Sequence, residues 1–266
     1  MHYLAVCAIY RNEGPYLREW IEFHRLVGVE KFFLYDNRST DDHRDQLAPY
    51  VADGTVEVLP WPDEPGQITA YAHCLATHRD EARWIAFIDL DEFLFSPTLA
   101  PLPEILADYE QHPAVVANWA VYGSSGHRTP PAGLVIENYL WRLPDHRRRN
   151  LVLKSIVDPR RTLHSAGVNP HAFIYEGGFA VNELHHPVDR KPLGETDEVS
   201  FARLRINHYY IKSQEQWEAK RAAAMANSGR SRQQPPEQAE RYSVRDETIT
   251  AYAPAVRDAL AAVPSY

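Results

Sequence analysis

The chain has 266 residues, 44% of them hydrophobic and 24% charged, which is ordinary globular usage with length enough for one substantial core. That composition excludes wholesale disorder. A formal net charge of -8 counts against a nucleic-acid binder, which presents a basic face.

The N-terminal stretch MHYLAVCAIYRNE has no basic leader and reaches charge by Arg11, so neither a signal peptide nor a membrane span is expected there. No later apolar run is long enough to cross a bilayer, and the default expectation is a soluble cytoplasmic protein. Cys7 and Cys74 lie among apolar neighbours and read as core positions in a reducing compartment.

In chain order, residues 3–10 (YLAVCAIY) predict a short buried strand. RNEGP ends it, and Pro15 and Gly28 suit the first turn and the far end of a helix. Leu17, Trp20, Ile21, His24 and Val27 recur at helical spacing between them. KFFLYD (31–36) predicts a second strand, and the DNRSTDD that follows is turn chemistry. TVEVLPW (55–61) predicts a third strand. Residues 67–82 predict a helix with Ile68, Ala72, Leu75 and Ala76 on one face, and RWIAFI (83–88) a fourth strand.

Alternating strands and helices predict a mostly parallel sheet, whose ligands bind beyond the carboxyl ends of its strands. Three of these ends are polar: 11–13, 36–42 and 89–92. In a parallel sheet all three lie on one edge.

A helix is expected near 102–111. Strand-like stretches follow at 114–123, 133–143, 150–158, 171–177 and 203–211. Residues 213–227 predict a helix opened by Ser213, the polar SGRSRQQPPEQ breaks it, and a helical tail follows. A nucleotide-binding half (1–98), an acceptor-side half (113–212) and a C-terminal helical segment (213–266) are expected in one domain. The first half alone would leave its sheet edge uncovered.

In FIDLDEF, Asp89, Asp91 and Glu92 sit at the end of an apolar strand. Buried carboxylates need a positive partner or water. Asp89 and Asp91, two apart, share one side of an extended chain and suit an oxygen-ligated cation such as Mg or Mn. A turn or a solvated loop is the plain alternative. If the strand ends at Asp91, Glu92 turns back toward another partner. Haloacid-dehalogenase-like phosphatases also carry Asp-x-Asp, but on the first strand and with Thr or Val where this chain has Phe93.

YRNEGPYLREWIEFHRLVGVEKFFLYDNRSTDD resembles the opening of glycosyltransferase family 92 and its bacterial, family 2-like relatives. FIDLDEF, NWAVYGSSGH (118–127), KSIVDP (154–159) and RINHYYIKSQEQWEAKRA (205–222) match the same group in order. The resemblance implies a single GT-A-like α/β domain, a Rossmann-like nucleotide-binding sheet with a mixed-sheet acceptor half. It implies a metal-dependent inverting transfer of a sugar from a nucleotide-diphosphate donor to a glycan or other hydroxyl acceptor.

Carried onto this sequence, Asp89 and Asp91 form the metal and diphosphate site with Mn2+ or Mg2+. His208 is a late metal ligand. Tyr10, Arg11, Asn12 and Glu13 lie by the base or ribose, and Asp36 accepts from the nucleoside. Gln67 and Tyr71 touch the donor. Lys154 meets a donor phosphate as a point charge. Trp119, Ser125, Gly126 and His127 form an acceptor wall. Each has a plainer reading as a core, turn or surface residue. Arg147, Arg148 and Arg149, with Arg160 and Arg161, read as a solvated face or as contacts to a phosphate-bearing acceptor.

An inverting reaction needs a general base. Glu183 and Asp158 are the preferred candidates; Glu176, Asp189, His171, His185 and His186 fall in the same region. A nucleotide-sugar hydrolase or nucleotidyltransferase on the same fold, or a non-catalytic sugar-binding module, are the alternative readings.

Overall fold

The computed structural model describes residues 1–166, 169–188, 194–228 and 242–264. The first half follows the expected alternation: β1 (His2–Tyr10), α1 (Gly14–Leu26), β2 (Lys31–Asp36), α2 (His43–Ala52), β3 (Val56–Pro60), α3 (Gln67–His78) and β4 (Ala82–Phe87). These four strands are parallel in the order β3-β2-β1-β4. Both faces of β1 are apolar and its central residues are fully buried, the pattern of a parallel strand covered by helices on each side. Helix α2 carries no sequence signal. It buries Leu47 and Tyr50 but contains Pro49, so its apolar period is broken.

The second half turns the sheet mixed. It contributes β5 (Glu92–Phe95), α4 (Leu102–Leu106), β6 (Ala114–Val121), α5 (Val135–Asn138), β7 (Trp141–Arg142) and β8 (Leu153–Val157). It continues with β9 (Thr162–Ala166), β10 (Asn169–Tyr175), β11 (Ala180–Val181), β12 (Pro187–Val188) and β13 (Arg205–His208). Strand β8 lies antiparallel between β4 and β6. Strand β13 pairs antiparallel with β5 and parallel with β6. The chain closes with α6 (Gln214–Ser228), β14 (Val244–Arg245) and α7 (Ala253–Ala262). One core continues from α1 through β6 to Ile249 and Val256, which makes a single α/β domain.

Two expected elements differ. Residues 133–143 hold the short α5 and the two-residue β7 rather than a strand. The Glu19 carboxylate on α1 accepts the backbone N–H groups of Val135 and Ile136 and fixes that turn from outside the segment. The helix expected over 102–111 is α4 followed by a 3-10 turn through Tyr109.

The C-terminal segment is tied down by charge. Asp246 meets Arg142 at 2.7 Å and Arg205 at 2.9 Å, all with nearly buried side chains. Arg205 also donates to Asn207 and Tyr122. The two guanidiniums outweigh the cost of burial and hold the Asp246 carboxyl well below the usual range.

Glu19 titrates in the opposite sense. Burial raises its pKa to about 7, against the backbone donors and Lys212. A raised carboxyl pKa means that folding favours the protonated form, so its contribution is present at low pH and declines as pH rises toward 7. The stability advantage of the wild type over Glu19→Gln should therefore shrink by about 3 kcal/mol from pH 4.5 to 7.5. Urea titrations across that window measure it.

Candidate active site

Strands β1, β2 and β4 end on the same edge, as parallel pairing requires. Their C-terminal loops open on a cleft of about 930 Å³. That volume suits a ligand of nucleotide-sugar size. Tyr10, Arg11, Asn12, Glu13, Asn37, Gln67, Asp89, Asp91, Trp119 and His208 line it.

Two expected nucleoside-side residues shape loops more than they face the cleft. Asn12 has a left-handed φ of 56° and accepts from the Thr40 backbone at 2.7 Å. Asp36 accepts from the Ser39 backbone at 2.9 Å and faces the buried His43 at 3.5 Å. Arg11 pairs with Glu64 at 3.0 Å. Asn37 is held by the carbonyls of Trp61 and Asp63 beside Gly66. A side chain on Gly66 would collide with the Asp63 carbonyl at 2.6 Å, so the wall there must be bare backbone.

The acidic motif divides into three environments. Asp89 keeps 30% of its side chain exposed. One oxygen faces Lys154 Nζ at 2.8 Å and the other accepts from Gln67 at 2.8 Å and Tyr71 at 3.4 Å. Burial works to raise its pKa, but Lys154 outweighs that and holds the group ionised. Glu92 is fully buried, points back toward Lys154 at 3.5 Å, and accepts the Asp89 backbone N–H. Burial, joined by the two aspartates, pushes its pKa well above the usual carboxylate range against the pull of Lys154. Lys154 is itself fully buried on β8 beneath the cleft.

Asp91 is served by the other end of the chain. Lys220 on α6 reaches Asp91 at 2.8 Å and Glu13 at 3.8 Å; Lys212 reaches Glu13 at 3.1 Å. Despite burial, Lys220 and His208 hold Asp91 well below the ordinary carboxylate range. Burial lowers the Lys212 pKa against the pull of Glu13. Lys212 Nζ also lies 3.4 Å from the Tyr16 ring centroid, and Gln216 donates to the Tyr16 hydroxyl. Three lysines thus meet three acids, two of them at the opening and Lys154 beneath it.

A divalent cation fits part of this site. His208 Nε2 lies 3.5 Å from Asp91 Oδ1, long for a hydrogen bond, and burial lowers its pKa, leaving the neutral imidazole that a ligand requires. Magnesium-type sites use one or two protein ligands and complete their shell with water and phosphate. Asp89, expected as a second carboxylate ligand, has lysine and amide on its two oxygens. Among the described residues no group of three or more His, Cys, Asp or Glu could hold a metal ion.

The opposite wall is aromatic. Trp119 packs on His208 with centroids 4.1 Å apart, His208 meets Tyr210 at 5.3 Å, and Tyr210 meets Trp217 at 5.0 Å. Ser125, Gly126 and His127 do not line this cleft. Ser125 accepts from the Leu140 and Trp141 backbones, and His127 contacts the Asn138 carbonyl while its own carbonyl anchors the start of α6.

Both preferred bases lie elsewhere. The buried Glu183 carboxylate is saturated by the Ser200 hydroxyl and the backbones of Ala202, Arg203 and Leu204. Asp158 pairs with Arg83 at 2.8 Å and accepts the Arg160 N–H. It sits just past the C-terminal end of β8, whereas Lys154, nearer the other end, lies buried beneath the cleft floor and meets Asp89, not, as expected, a donor phosphate. Glu176 is exposed, His185 stacks on Tyr109 and His186 pairs with Glu198. Asp189 lies outside the described residues. His171 does reach the wall, edge-on to Trp119 at 5.2 Å.

Sequence reasoning missed Tyr16, Tyr210, Lys212, Gln216 and Lys220, all of which line the cleft. A signal was available: Gln216 and Lys220 are four apart on a predicted helix, hence on one face, directly after the expected ligand His208.

A four-stranded parallel half, an Asp-x-Asp at the end of its fourth strand and an antiparallel strand leading to a mixed second half define a domain of the GT-A glycosyltransferase class. Within that class the chain belongs to glycosyltransferase family 92, whose sequence model matches residues 2–248.

A family 92 protein of Ricinus communis is 34% identical over 67% of this chain and 32% of its own length. One of Arabidopsis thaliana is 27% identical over 82% of this chain and 37% of its own length. The Arabidopsis galactan beta-1,4-galactosyltransferase GALS2 is 26% identical over 40% of this chain and 22% of its own. The chain spans about a third of the length of the first two relatives. Among solved structures, S. aureus TarS residues 1–349 in complex with UDP gives a TM-score of 0.41 at 16% identity, covering 59% of this chain and 47% of that one.

If Glu183 knots the loop after Thr196 rather than taking a proton, Glu183→Gln should lose about 2–4 kcal/mol of folding stability while nucleotide binding is retained. Chemical denaturation and calorimetry report the two quantities separately.

Proposed function

We propose that this chain transfers a sugar from a nucleotide-diphosphate donor to a hydroxyl acceptor, with inversion at the anomeric carbon. One observation carries the reading: three lysines converge on the acids at the ends of β1 and β4, two lining and one beneath a cleft sized for a nucleotide sugar. The lysines neutralise Asp89, Glu13 and Asp91 and leave a polar, nearly charge-balanced floor. A diphosphate arriving there finds Lys212 and Lys220 already ordered, and preorganised charge of this kind stabilises a leaving group. Gln67 and the bare backbone at Gly66 face the donor. A divalent cation, held by Asp91 and His208, would add Lewis-acid neutralisation of the diphosphate.

The acceptor enters along Trp119 and Tyr210, as sugars favour aromatic faces. His171 is the base best placed for its hydroxyl proton. The Nδ1 of His171 is engaged by the Leu153 carbonyl at 3.0 Å, which fixes the tautomer with Nε2 as the proton acceptor. Burial lowers its pKa to about 4, so the ring is neutral in ordinary buffers.

A thermal-shift screen of nucleoside diphosphates and their sugars, with and without Mn2+, tests the proposal. The matching nucleotide at about a hundred times its Kd should raise Tm by roughly 5 °C or more. Asp91→Ala should remove the Mn2+-dependent part of that shift. His171→Ala should keep the shift and lose turnover about a hundredfold or more. Absence of stabilisation by every nucleotide tried would sink the donor reading.

A further inference from the structure

The geometry points to an acceptor that carries a negative group, a carboxylate or a phosphate, recognised by Arg149 at the outer end of the aromatic wall. This inference rests on the donor–acceptor reading of the cleft. Its ground is an imbalance of charge between the two ends of that cleft. At the donor end every lysine has an acid: Lys154 with Asp89, Lys212 with Glu13, Lys220 with Asp91. At the other end the Arg149 guanidinium carbon lies over the Tyr210 ring, 4.2 Å from its centroid, and Tyr210 lines the cleft. Among the described residues neither Arg149 nor Arg147 has a carboxylate partner, although the chain as a whole carries a net charge of -8.

An arginine stacked on a ring keeps its edge N–H groups free, and that planar fork matches a carboxylate or phosphate in bidentate fashion. Stacking also fixes the side chain before the ligand arrives, which reduces the ordering cost. A second cation lies on the same side. Arg221 is one turn along α6 from Trp217, which packs on Tyr210. Its Nε is buried without a hydrogen-bond partner among the described residues. Arg148, between the two unpaired arginines, is engaged by Glu195 at 3.4 Å, so the run is not uniformly available. A neutral glycan would leave Arg149 without a counter-charge at the point where the acceptor chain leaves the cleft.

Binding of the labelled full chain to an array of neutral, uronate-containing and phosphorylated glycans, with UDP present, tests this. Wild-type protein should favour anionic glycans over their neutral counterparts by about tenfold or more. The uronate and phosphate arms then show which group is read. Arg149→Ala should lose the preference, and Arg149→Lys should recover only part of it, because the stacked fork is gone. The UDP-induced thermal shift should be unchanged in both variants, which separates this inference from the donor reading. Preference for neutral glycans, binding to none, or an intact anionic preference in Arg149→Ala overturns it.

Discussion

Lys154 is the interaction on which the rest of this structure depends. A fully buried ammonium cannot stay charged without an acid beside it, and Asp89, at the end of an apolar strand, is held ionised by the cation beneath it. Each would be costly alone. Together they lock β8, which arrives more than sixty residues after the motif, against the end of β4. The antiparallel insertion of β8 between β4 and β6 is therefore set by charge as well as by apolar packing.

The same logic closes the other side of the cleft. Glu13 and Asp91 come from the first hundred residues, while Lys212 and Lys220 come from the last sixty. Neither half can fold around its own share of these groups without leaving unpaired charge in a half-buried setting. This is why the chain reads as one domain although its first half has the outline of a complete parallel α/β unit. It also explains the uneven fate of the three acids. Asp89 is held low by a lysine, Asp91 by a lysine and an imidazole, and Glu92, which shares its lysine with Asp89, is pushed well above the usual range by burial.

Much of the first half was legible in the sequence because its signals are local. KFFLYD is bounded as expected because a short apolar run between a glycine turn and a polar turn has one reading. The convergence of the ends of β1, β2 and β4 followed from alternation alone. The second half was less legible because its partners are remote. Nothing near Val135 announces that Glu19, more than a hundred residues away, will cap that turn. Nothing near Glu183 announces four donors from residues 200–204, so an acid with every oxygen satisfied looked like a free one. The lysines of the cleft were overlooked for a related reason. On a helix predicted only from its opening Ser213, a lysine is assigned to solvent by default, and only the fold shows that one face of α6 looks into the site.

The pairing of β13 has a consequence for how this domain tolerates change. His208 stands opposite Glu92 on one neighbouring strand and Val121 on the other, and a slip of one residue would swing the imidazole to the far face of the sheet. The four residues of β13 thus act as a vernier between the first and second halves of the chain. Length variation is absorbed outside the ladder, in a connection such as residues 128–133. Odd-numbered insertions inside Arg205–His208 are forbidden by parity.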